Sequence, residues 1–313
     1  MKTHLKKDNG FSLKHAADIL IKYRYLYLML LPVIIWYLLF SIKPLYWMQI
    51  AFKDYNMYKG PQASEWVGLK HFIDFFTGSY FLRTLKNTFL INLYSIIFGF
   101  TASIVLALMF NEVKNQAFKK TVQTITYLPH FISVVVVAGI VTTMLSPNSG
   151  IINVIIKKLG GESIYFLTKP EWFRTIYTLM NMWCYTGFGT IVYMAAIASI
   201  DQQLYEACAI DGGGKFRKLW HVTLPQILPT ITIMLVMRMG SILSVGYESI
   251  ILLYQPVTYE TADVISTYVY RTGLESAQYD KAAAVDMVNS IVALIMVAAA
   301  NKVSNKLTQT GLW

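Results

Sequence analysis

The chain has 313 residues, of which 55% are hydrophobic, 14% are aromatic and 14% are charged, and its formal net charge is +10. Soluble domains are about 45–50% apolar and about 25% charged, so this chain cannot supply the charged coat of a soluble protein. The composition argues against a soluble globule and predicts an all-α integral membrane protein.

The small number of cysteines excludes several kinds of site. Two cysteines without a CxxC spacing exclude a disulfide framework, structural zinc and c-type haem, and we expect no metal site. Most basic residues flank apolar runs, where they face lipid headgroups, so the positive charge does not predict nucleic-acid binding.

Residues 1–24 are basic and lead into a long apolar run without a small-residue cleavage site. We therefore predict a cytosolic N-terminal segment over residues 1–24, followed by one transmembrane domain over residues 25–313. Six apolar runs in this domain approach the ~20 residues that a helix needs to cross the hydrocarbon. They are Tyr25–Ile42, Thr88–Phe110, Val122–Leu145, Ile176–Ile200, Gln226–Ile250 and Val285–Ala300.

Six crossings place both termini on one side of the membrane. Lysine and arginine are denser in the shorter loops on the N-terminal side, which predicts cytoplasmic N- and C-termini by the positive-inside rule. The aromatic outer loops, Lys43–Asn87, Ser146–Thr175 and Ile251–Asp280, fit either interfacial helices or a docking rim for an extracellular protein. Glycines and prolines inside the runs fit either close helix packing or a hinged pathway.

The loop of residues 201–225 lies on the predicted cytosolic side and has an unusual pattern. Gln203–Asp211 contains good helix formers, Gly212–Gly214 breaks the helix, and Lys215–Val222 resumes it. Pro225 is placed to begin the following span, where its missing N–H costs little. Such an element can form a rigid knob parallel to the membrane that fits a groove on a cytosolic partner.

The sequence Glu206-Ala207-Cys208-x-x-x-Gly212, followed after nine intervening residues by Val222-x-Leu224-Pro225, resembles the EAA loop of permeases in binding-protein-dependent ABC importers. Cys208 stands where the pattern has alanine, and Val222 stands where it has isoleucine. The resemblance implies a coupling helix that sits in a cleft of the ATP-hydrolysing subunit. The residues that it assigns to coupling are Glu206, Ala207, Cys208, Asp211, Gly212, Leu224 and Pro225.

Further segments are similar to the LplB-like branch of the carbohydrate permeases, within the MetI-like, maltose-type superfamily. They include Trp66-Val-Gly-Leu-Lys-His-Phe72, Tyr127-Leu-Pro-His-Phe-Ile-Ser133, Pro147-Asn-Ser-Gly-Ile-Ile-Asn153 and the ending Gly311-Leu-Trp313. This resemblance implies a multi-pass protein of the bacterial plasma membrane that carries an oligosaccharide. It also implies a second, homologous permease subunit, two ATPase subunits and an extracellular, lipid-anchored solute-binding protein.

The chain itself lacks the residues for ATP hydrolysis. A P-loop requires GxxxxGK followed by serine or threonine, and Gly212-Gly-Gly-Lys-Phe216 has neither the first glycine nor the hydroxyl. We therefore expect a transport component and not an enzyme. The chain should bind no cofactor, with ATP and magnesium used by the partner ATPase.

Candidate pathway residues combine aromatic and amide side chains, which suit sugar C–H faces and hydroxyls. Trp183 and Tyr185 cannot both point the same way on a helix, so we expect at most one of them to line the pathway. Two more candidates, Arg238 and Glu248, are ionic, and Asp286 is a third intramembrane charge. The remaining candidates are Asn92, Asn181, Tyr193, Tyr247 and Asn289.

The three charges differ in position. Glu248 and Asp286 lie near predicted span ends, where contact with water would account for them. Arg238 lies about halfway along its run, where a cation needs a partner, and both a structural ion pair and a substrate contact remain open. The predicted function is alternating-access import of an oligosaccharide. The alternatives are import of another small solute such as a polyol or glycerol-phosphate, an ion-gradient-driven carrier and a membrane scaffold.

Overall fold

A computed structural model describes residues 21–243 and 245–308 of the chain. Residues 1–20 of the predicted N-terminal segment and the ending Gly311-Leu-Trp313 lie outside these residues. Over the described ranges the protein is helical apart from turns and two paired two-residue strands, which confirms the predicted all-α fold.

The elements follow one another in this order: α1 (Arg24–Phe52), β1 (Lys53–Asp54), α2 (Gly60–Ala63), β2 (Glu65–Trp66), α3 (Lys70–Thr77), α4 (Ser79–Glu112), α5 (Gln116–Phe131), α6 (Val134–Met144), α7 (Ile151–Lys158), α8 (Pro170–Ala198), α9 (Gln202–Ile210), α10 (Lys215–Met239), α11 (Tyr247–Ile251), α12 (Tyr259–Ala262), α13 (Ile265–Tyr270) and α14 (Tyr279–Thr308). Strands β1 and β2 pair antiparallel, with Lys53 opposite Trp66.

Four of the described helices, α1, α4, α10 and α14, are long and apolar enough to cross a membrane. Two bent pairs, α5 with α6 and α8 with α9, raise the number of candidate spans to six if each pair counts as one. The six predicted runs therefore fall on these candidate spans, although most of the helices extend beyond the apolar run.

The third predicted span, Val122–Leu145, is wrong as a single helix. Helices α5 and α6 are bent by 102° at the break between Phe131 and Val134. Pro129 lies in the tight final turn of α5, and Ile132 then adopts an extended backbone with ψ 136°. Because proline cannot donate the helical hydrogen bond, it favours a break here although the chain remains apolar on both sides.

The fifth predicted span, Gln226–Ile250, is also wrong in its limits. Helix α10 begins at Lys215 and ends at Met239, so it includes residues that we predicted as a separate cytosolic helix. Residues 240–246, which begin and end with glycine, separate it from the short helix α11. Arg238 thus lies in the last helical turn and not halfway along the span.

Buried side chains hold the spans together in two clusters. In the first, Ile91, Val137, Phe173 and Val264 join α4, α6 and α8 to the segment before α13. In the second, Ala107, Tyr193, Ile197 and Ile227 join α4, α8 and α10. Helices α4, α8 and α10 therefore form the central framework on which the candidate sites lie.

Each of the three loops that we predicted to be extracellular contains short helices, as one of our two interpretations predicted. Helix α3 lies in the first loop, α7 lies in the second, and α12 and α13 lie in the third. The tip of the first loop is fixed to the last span, because Asp280 accepts a hydrogen bond from the Tyr55 amide at 3.2 Å and lies 3.4 Å from His71 Nε2. These contacts make the outer segments part of the folded domain.

Candidate functional site

The candidate coupling segment, residues 201–225, is a helix, a glycine turn and the start of a span. Asp201 caps α9 by accepting a hydrogen bond from the Gln203 amide at 2.9 Å. At the other end, the Gly212 amide donates to the Ala209 carbonyl at 3.1 Å and the Gly213 amide donates to the Cys208 carbonyl at 2.8 Å. This pair of bonds is the Schellman arrangement that ends many helices.

Two glycines in this turn have separate physical reasons. Gly212 has φ +73°, which lies in the left-handed region that costs other L-residues about 1–2 kcal/mol. An added Cβ at Gly213 would overlap Cys208 Sγ and lie 2.6 Å from its carbonyl oxygen. A side chain is therefore unfavourable at both positions, at Gly212 because of backbone strain and at Gly213 because of steric overlap.

The coupling residues differ in exposure. Glu206, Ala207, Asp211, Gly212 and Pro225 are exposed, whereas Cys208 and Leu224 are half-buried. Large apolar side chains surround the exposed ones, and they are a feature that the sequence reasoning missed: Ile210 is 86% exposed, Phe216 81% and Trp220 62%. Exposed apolar groups beside the exposed carboxylates of Glu206 and Asp211 form a surface suited to a partner protein.

Helix α9 is attached to α10 by a hydrogen bond between Tyr205 Oη and Thr223 Oγ1 at 3.0 Å. Thr223 belongs to a widened turn of α10, Leu219–Thr223, which lies just before Pro225. A widened turn accommodates a proline inside a continuous helix, because it relaxes the hydrogen-bond ladder at the place where the proline N–H is missing. Our prediction that Pro225 begins a new helix is therefore wrong.

A cavity of about 520 Å³ lies between α4, α8 and α10. Five of the predicted pathway residues line it: Asn92, Asn181, Tyr185, Tyr193 and Arg238. Trp183 does not line this cavity, so of the two neighbouring aromatics on α8 only Tyr185 is on the cavity face. Tyr247 and Asn289 line a different cavity of about 560 Å³ together with Asp286, and Glu248 lines neither.

Two hydroxyl groups on the cavity wall escaped the sequence reasoning. Thr178 and Thr186 both line the cavity, and their Oγ1 atoms are buried without a hydrogen-bond partner among the described residues. Thr178 is only 6% exposed. The available signal was helical spacing, because Thr178, Asn181, Tyr185 and Gly189 recur every three or four residues along one face of α8.

Arg238 extends from the last turn of α10 towards α4. Its Nη2 donates a hydrogen bond to Ser95 Oγ at 2.6 Å. Ser95 begins a widened turn of α4, Ser95–Phe100, a type of distortion that is frequent at functional sites. Arg238 is the only ionisable acid or base other than tyrosine on the described wall of the cavity.

A second polar cluster, also missed from the sequence, lies where α12, α13 and α4 meet. The carboxylate of Asp263 is fully buried and accepts hydrogen bonds from Arg83 at 2.8 Å and from Arg271 at 3.0 and 3.1 Å. Burial alone would lower the pKa of Arg271, but the hydrogen bonds and charge of Asp263 raise it above its usual value. Burial, with a neighbouring tyrosine, raises the pKa of Tyr254 to about 12.

Comparisons with known proteins agree on one family. Residues 99–308 match the family described as binding-protein-dependent transport system inner membrane component. Protein LplB of Bacillus subtilis (strain 168) is 40% identical over 290 residues, which cover 93% of this chain and 91% of that protein. The polygalacturonan/rhamnogalacturonan transport system permease protein YteP of the same organism is 43% identical over 294 residues, or 94% and 92% of the two chains.

Solved structures give the same result. A chain of a bacterial ABC transporter involved in the import of the acidic polysaccharide alginate superimposes with a TM-score of 0.88 and 49% identity. The match covers 94% of this chain and 99% of that chain. A second structure, with equal values, shows a bacterial alginate ABC transporter in complex with an alginate pentasaccharide-bound periplasmic protein.

Proposed function

Because this chain belongs to the family of binding-protein-dependent transport system inner membrane components, we propose that it works as a permease subunit of an ABC importer for oligosaccharides, by alternating access. It is a multi-pass membrane protein and a transport component, not an enzyme. Family membership decides against the ion-gradient-driven carrier and the membrane scaffold that the sequence left open. The complex saccharides named for its relatives support an oligosaccharide over a polyol or glycerol-phosphate.

The proposed assembly contains a second, homologous permease, two ATPase subunits and an extracellular, lipid-anchored binding protein. The structure with a bound periplasmic protein supports the last of these in its general form. Helix α1 supports a second permease, because no residue in its most apolar stretch is buried within this chain and a neighbouring subunit could cover it.

The coupling segment is the proposed contact with an ATPase. Its support is the exposed Glu206 among exposed apolar side chains, on a helix whose terminal turn requires glycine. We place this segment and both termini in the cytoplasm. ATP and magnesium bind the partner, which closes on ATP and moves the segment; the outer loops receive the saccharide from the binding protein.

The single observation that carries the proposal is the agreement between the 210-residue family match and the glycine-terminated helix at its predicted position. An uncoupling experiment tests it. The complete importer, reconstituted in proteoliposomes with its binding protein, is compared with Glu206→Gln and Gly212→Ala variants. We expect both variants to insert and assemble but to lose most saccharide uptake for each ATP hydrolysed.

Gln203→Ala is the matched control, because Gln203 is exposed on the same helix and its side chain makes no described hydrogen bond. The control should retain uptake and ATP hydrolysis. Wild-type coupling in both Glu206→Gln and Gly212→Ala would contradict the assignment of this segment. Failure of the wild-type importer to transport any saccharide would contradict the proposed function itself.

A further inference from the structure

The cavity between α4, α8 and α10 contains the chemistry of a saccharide site. Tyr185 is 50% exposed and offers an aromatic face, on which the C–H surface of a sugar ring can stack. Asn92 and Asn181 each use the side-chain nitrogen to bond a carbonyl of their own helix, at 3.0 and 2.9 Å, which leaves the amide oxygen to accept from a sugar hydroxyl.

Two threonine residues of this wall have hydroxyls without a described hydrogen-bond partner. Buried polar atoms in folded proteins almost always have a hydrogen-bond partner, so each exception requires an explanation. Thr178 and Thr186 are two such exceptions, and both residues line the cavity although their Oγ1 atoms are shielded from it in this conformation. A movement of the wall that exposes these hydroxyls would let a bound saccharide form hydrogen bonds with them.

The charge on the wall adds a donor that suits an anionic ligand. Arg238 is an exposed cation in the last turn of a membrane-crossing helix, so its guanidinium is accessible to a ligand in the cavity. Among residues 21–243 and 245–308 no carboxylate lies within 4.0 Å of it, since the described ion pairs involve other cations. Glu248, ten residues further on, is exposed on α11 and does not line the cavity.

The guanidinium of Arg238 is oriented by one hydrogen bond, and most of its N–H donors have no described partner. Arginine has five N–H donors in a planar fork that matches a carboxylate, and the one described side-chain hydrogen bond of Arg238 is to Ser95. That bond holds the guanidinium against α4, at a position three residues along the chain from Asn92. A fixed cation with free donors, in a cavity with no acidic wall residue, favours an anionic ligand.

From this arrangement we infer that the transported saccharide is acidic, an oligomer that contains uronic acid units, and that Arg238 binds a sugar carboxylate during its passage. The inference rests on the proposed function and specifies its substrate class. The carboxyl group of a uronic acid is ionised at neutral pH, so it can accept two parallel hydrogen bonds from the guanidinium. Tyr185, the asparagines and the threonines bind the ring and its hydroxyls.

The test measures ATP-driven uptake by the complete importer, with its binding protein, in proteoliposomes. The probes are three matched pairs of trisaccharides: oligomers of galacturonic, mannuronic and glucuronic acid, and the same oligomers with every carboxyl reduced to a hydroxymethyl group. We expect wild-type uptake of at least one acidic probe and less uptake of its reduced partner.

The key variant is Arg238→Gln, compared with wild type at equal amounts of assembled importer. Because hydrogen bonds to charged groups are worth more than neutral ones, we expect acidic uptake to fall about 10- to 100-fold. Any uptake of the reduced probe should be unchanged, and Arg238→Lys should restore part of the acidic uptake. The matched control, Lys302→Gln, removes an exposed cation from α14 and should change neither.

Three results would overturn the inference. Uptake of the reduced probes equal to or better than that of the acidic probes would show that the substrate is neutral. Unchanged acidic uptake in Arg238→Gln would show that this residue does not bind the carboxylate. Equal loss of both probes, with dissociation of the second permease, would assign Arg238 to an ion pair between subunits. In all three cases saccharide uptake by wild type would still support the proposed function, whereas its complete absence would contradict both.

Discussion

Replacement of Asp263 by asparagine should destabilise the part of the domain that contains α12 and α13. The carboxylate of Asp263 is fully buried and is the shared acceptor for Arg83, Arg271 and the Thr267 hydroxyl, at distances of 2.8 to 3.1 Å. Asparagine has the same size but no charge, and it offers one acceptor oxygen where the carboxylate offers two. The substitution therefore leaves two arginines around a neutral group.

The magnitude follows from burial. Removal of one partner of a buried ion pair typically costs 3–5 kcal/mol, because the remaining charge loses its compensation. The side chains of Arg83 and Arg271 are 32% and 23% exposed, so water can solvate part of their charge. We therefore expect a loss near the lower end, about 3 kcal/mol.

The loss should be concentrated in the segment that contains α12 and α13. Side chains of α4 still hold the backbone of this segment in the variant. Asn87 Nδ2 donates to the carbonyl of Asp263 at 3.0 Å, and Thr88 Oγ1 accepts from the Ile265 amide at 2.9 Å. The segment should thus loosen without complete detachment. Hydrogen exchange should rise in this segment before it rises in α8 or α10.

Thermal unfolding of the purified protein in detergent gives the measurement. For a chain of this size, about 3 kcal/mol corresponds to a fall in Tm of roughly 6–12 °C. Asp74→Asn is the matched control, because Asp74 is exposed on α3 and forms no described ion pair, and its Tm should stay within about 2 °C of wild type. An equally small shift for Asp263→Asn would refute the argument, since it would mean that water already screens both arginines.

Two further predictions concern α8. An added Cβ at Gly187 would overlap the Thr126 carbonyl of α5, so Gly187→Ala should separate the two helices and cost about 1–3 kcal/mol, measured as a lower Tm. Gly139→Ala, which has no atom within 4 Å of the added Cβ, should be neutral, and equal shifts would contradict the packing argument. Tyr185→Ala should lower saccharide uptake about two- to tenfold while Trp183→Ala leaves it unchanged, and the reverse order would contradict the cavity assignment.

Hydropathy predicted where the spans are but not where they bend. Residues on both sides of the break near Pro129 are apolar, so an averaged signal continues across it and gives one span. Conversely, Lys215–Leu219 contains three cations, so the same average misses that α10 begins there and not at Gln226. Bends depend on individual prolines and glycines, which contribute little to a window of eighteen or more residues.

The helical repeat correctly predicted part of the cavity wall. Asn181 and Tyr185 are four residues apart, so they share a face of α8, and the rule that Trp183 must point elsewhere needs only the sequence. The assignment of Tyr247 and Asn289 to the same pathway had no such basis. Their separation from the cavity depends on how α11 and α14 pack, and no local pattern contains that information.

The Asp263 cluster shows the same limit more strongly. Its partners are far apart in the chain: Arg83 is 180 residues away, and Arg174 joins through Asn87, to which it donates at 2.9 Å. Each of these residues, taken alone, resembles an ordinary solvated charge at a span end. Only the tertiary fold reveals that one buried carboxylate organises them.

Helix α10 connects the candidate coupling segment to the cavity that contains Arg238. At 1.5 Å per residue its 25 residues span about 37 Å, enough to cross the hydrocarbon of a bilayer. Its first residue follows the glycine turn, Thr223 ties it to α9, and Arg238 lies at its far end against Ser95 of α4. In the proposed function, a displacement of α9 by an ATPase would be transmitted along one continuous helix to the cation in the cavity. Because Ser95 belongs to a different span, relative movement of α10 and α4 would alter the contact between Arg238 and Ser95, so binding and release of the saccharide can follow the movement of the coupling segment.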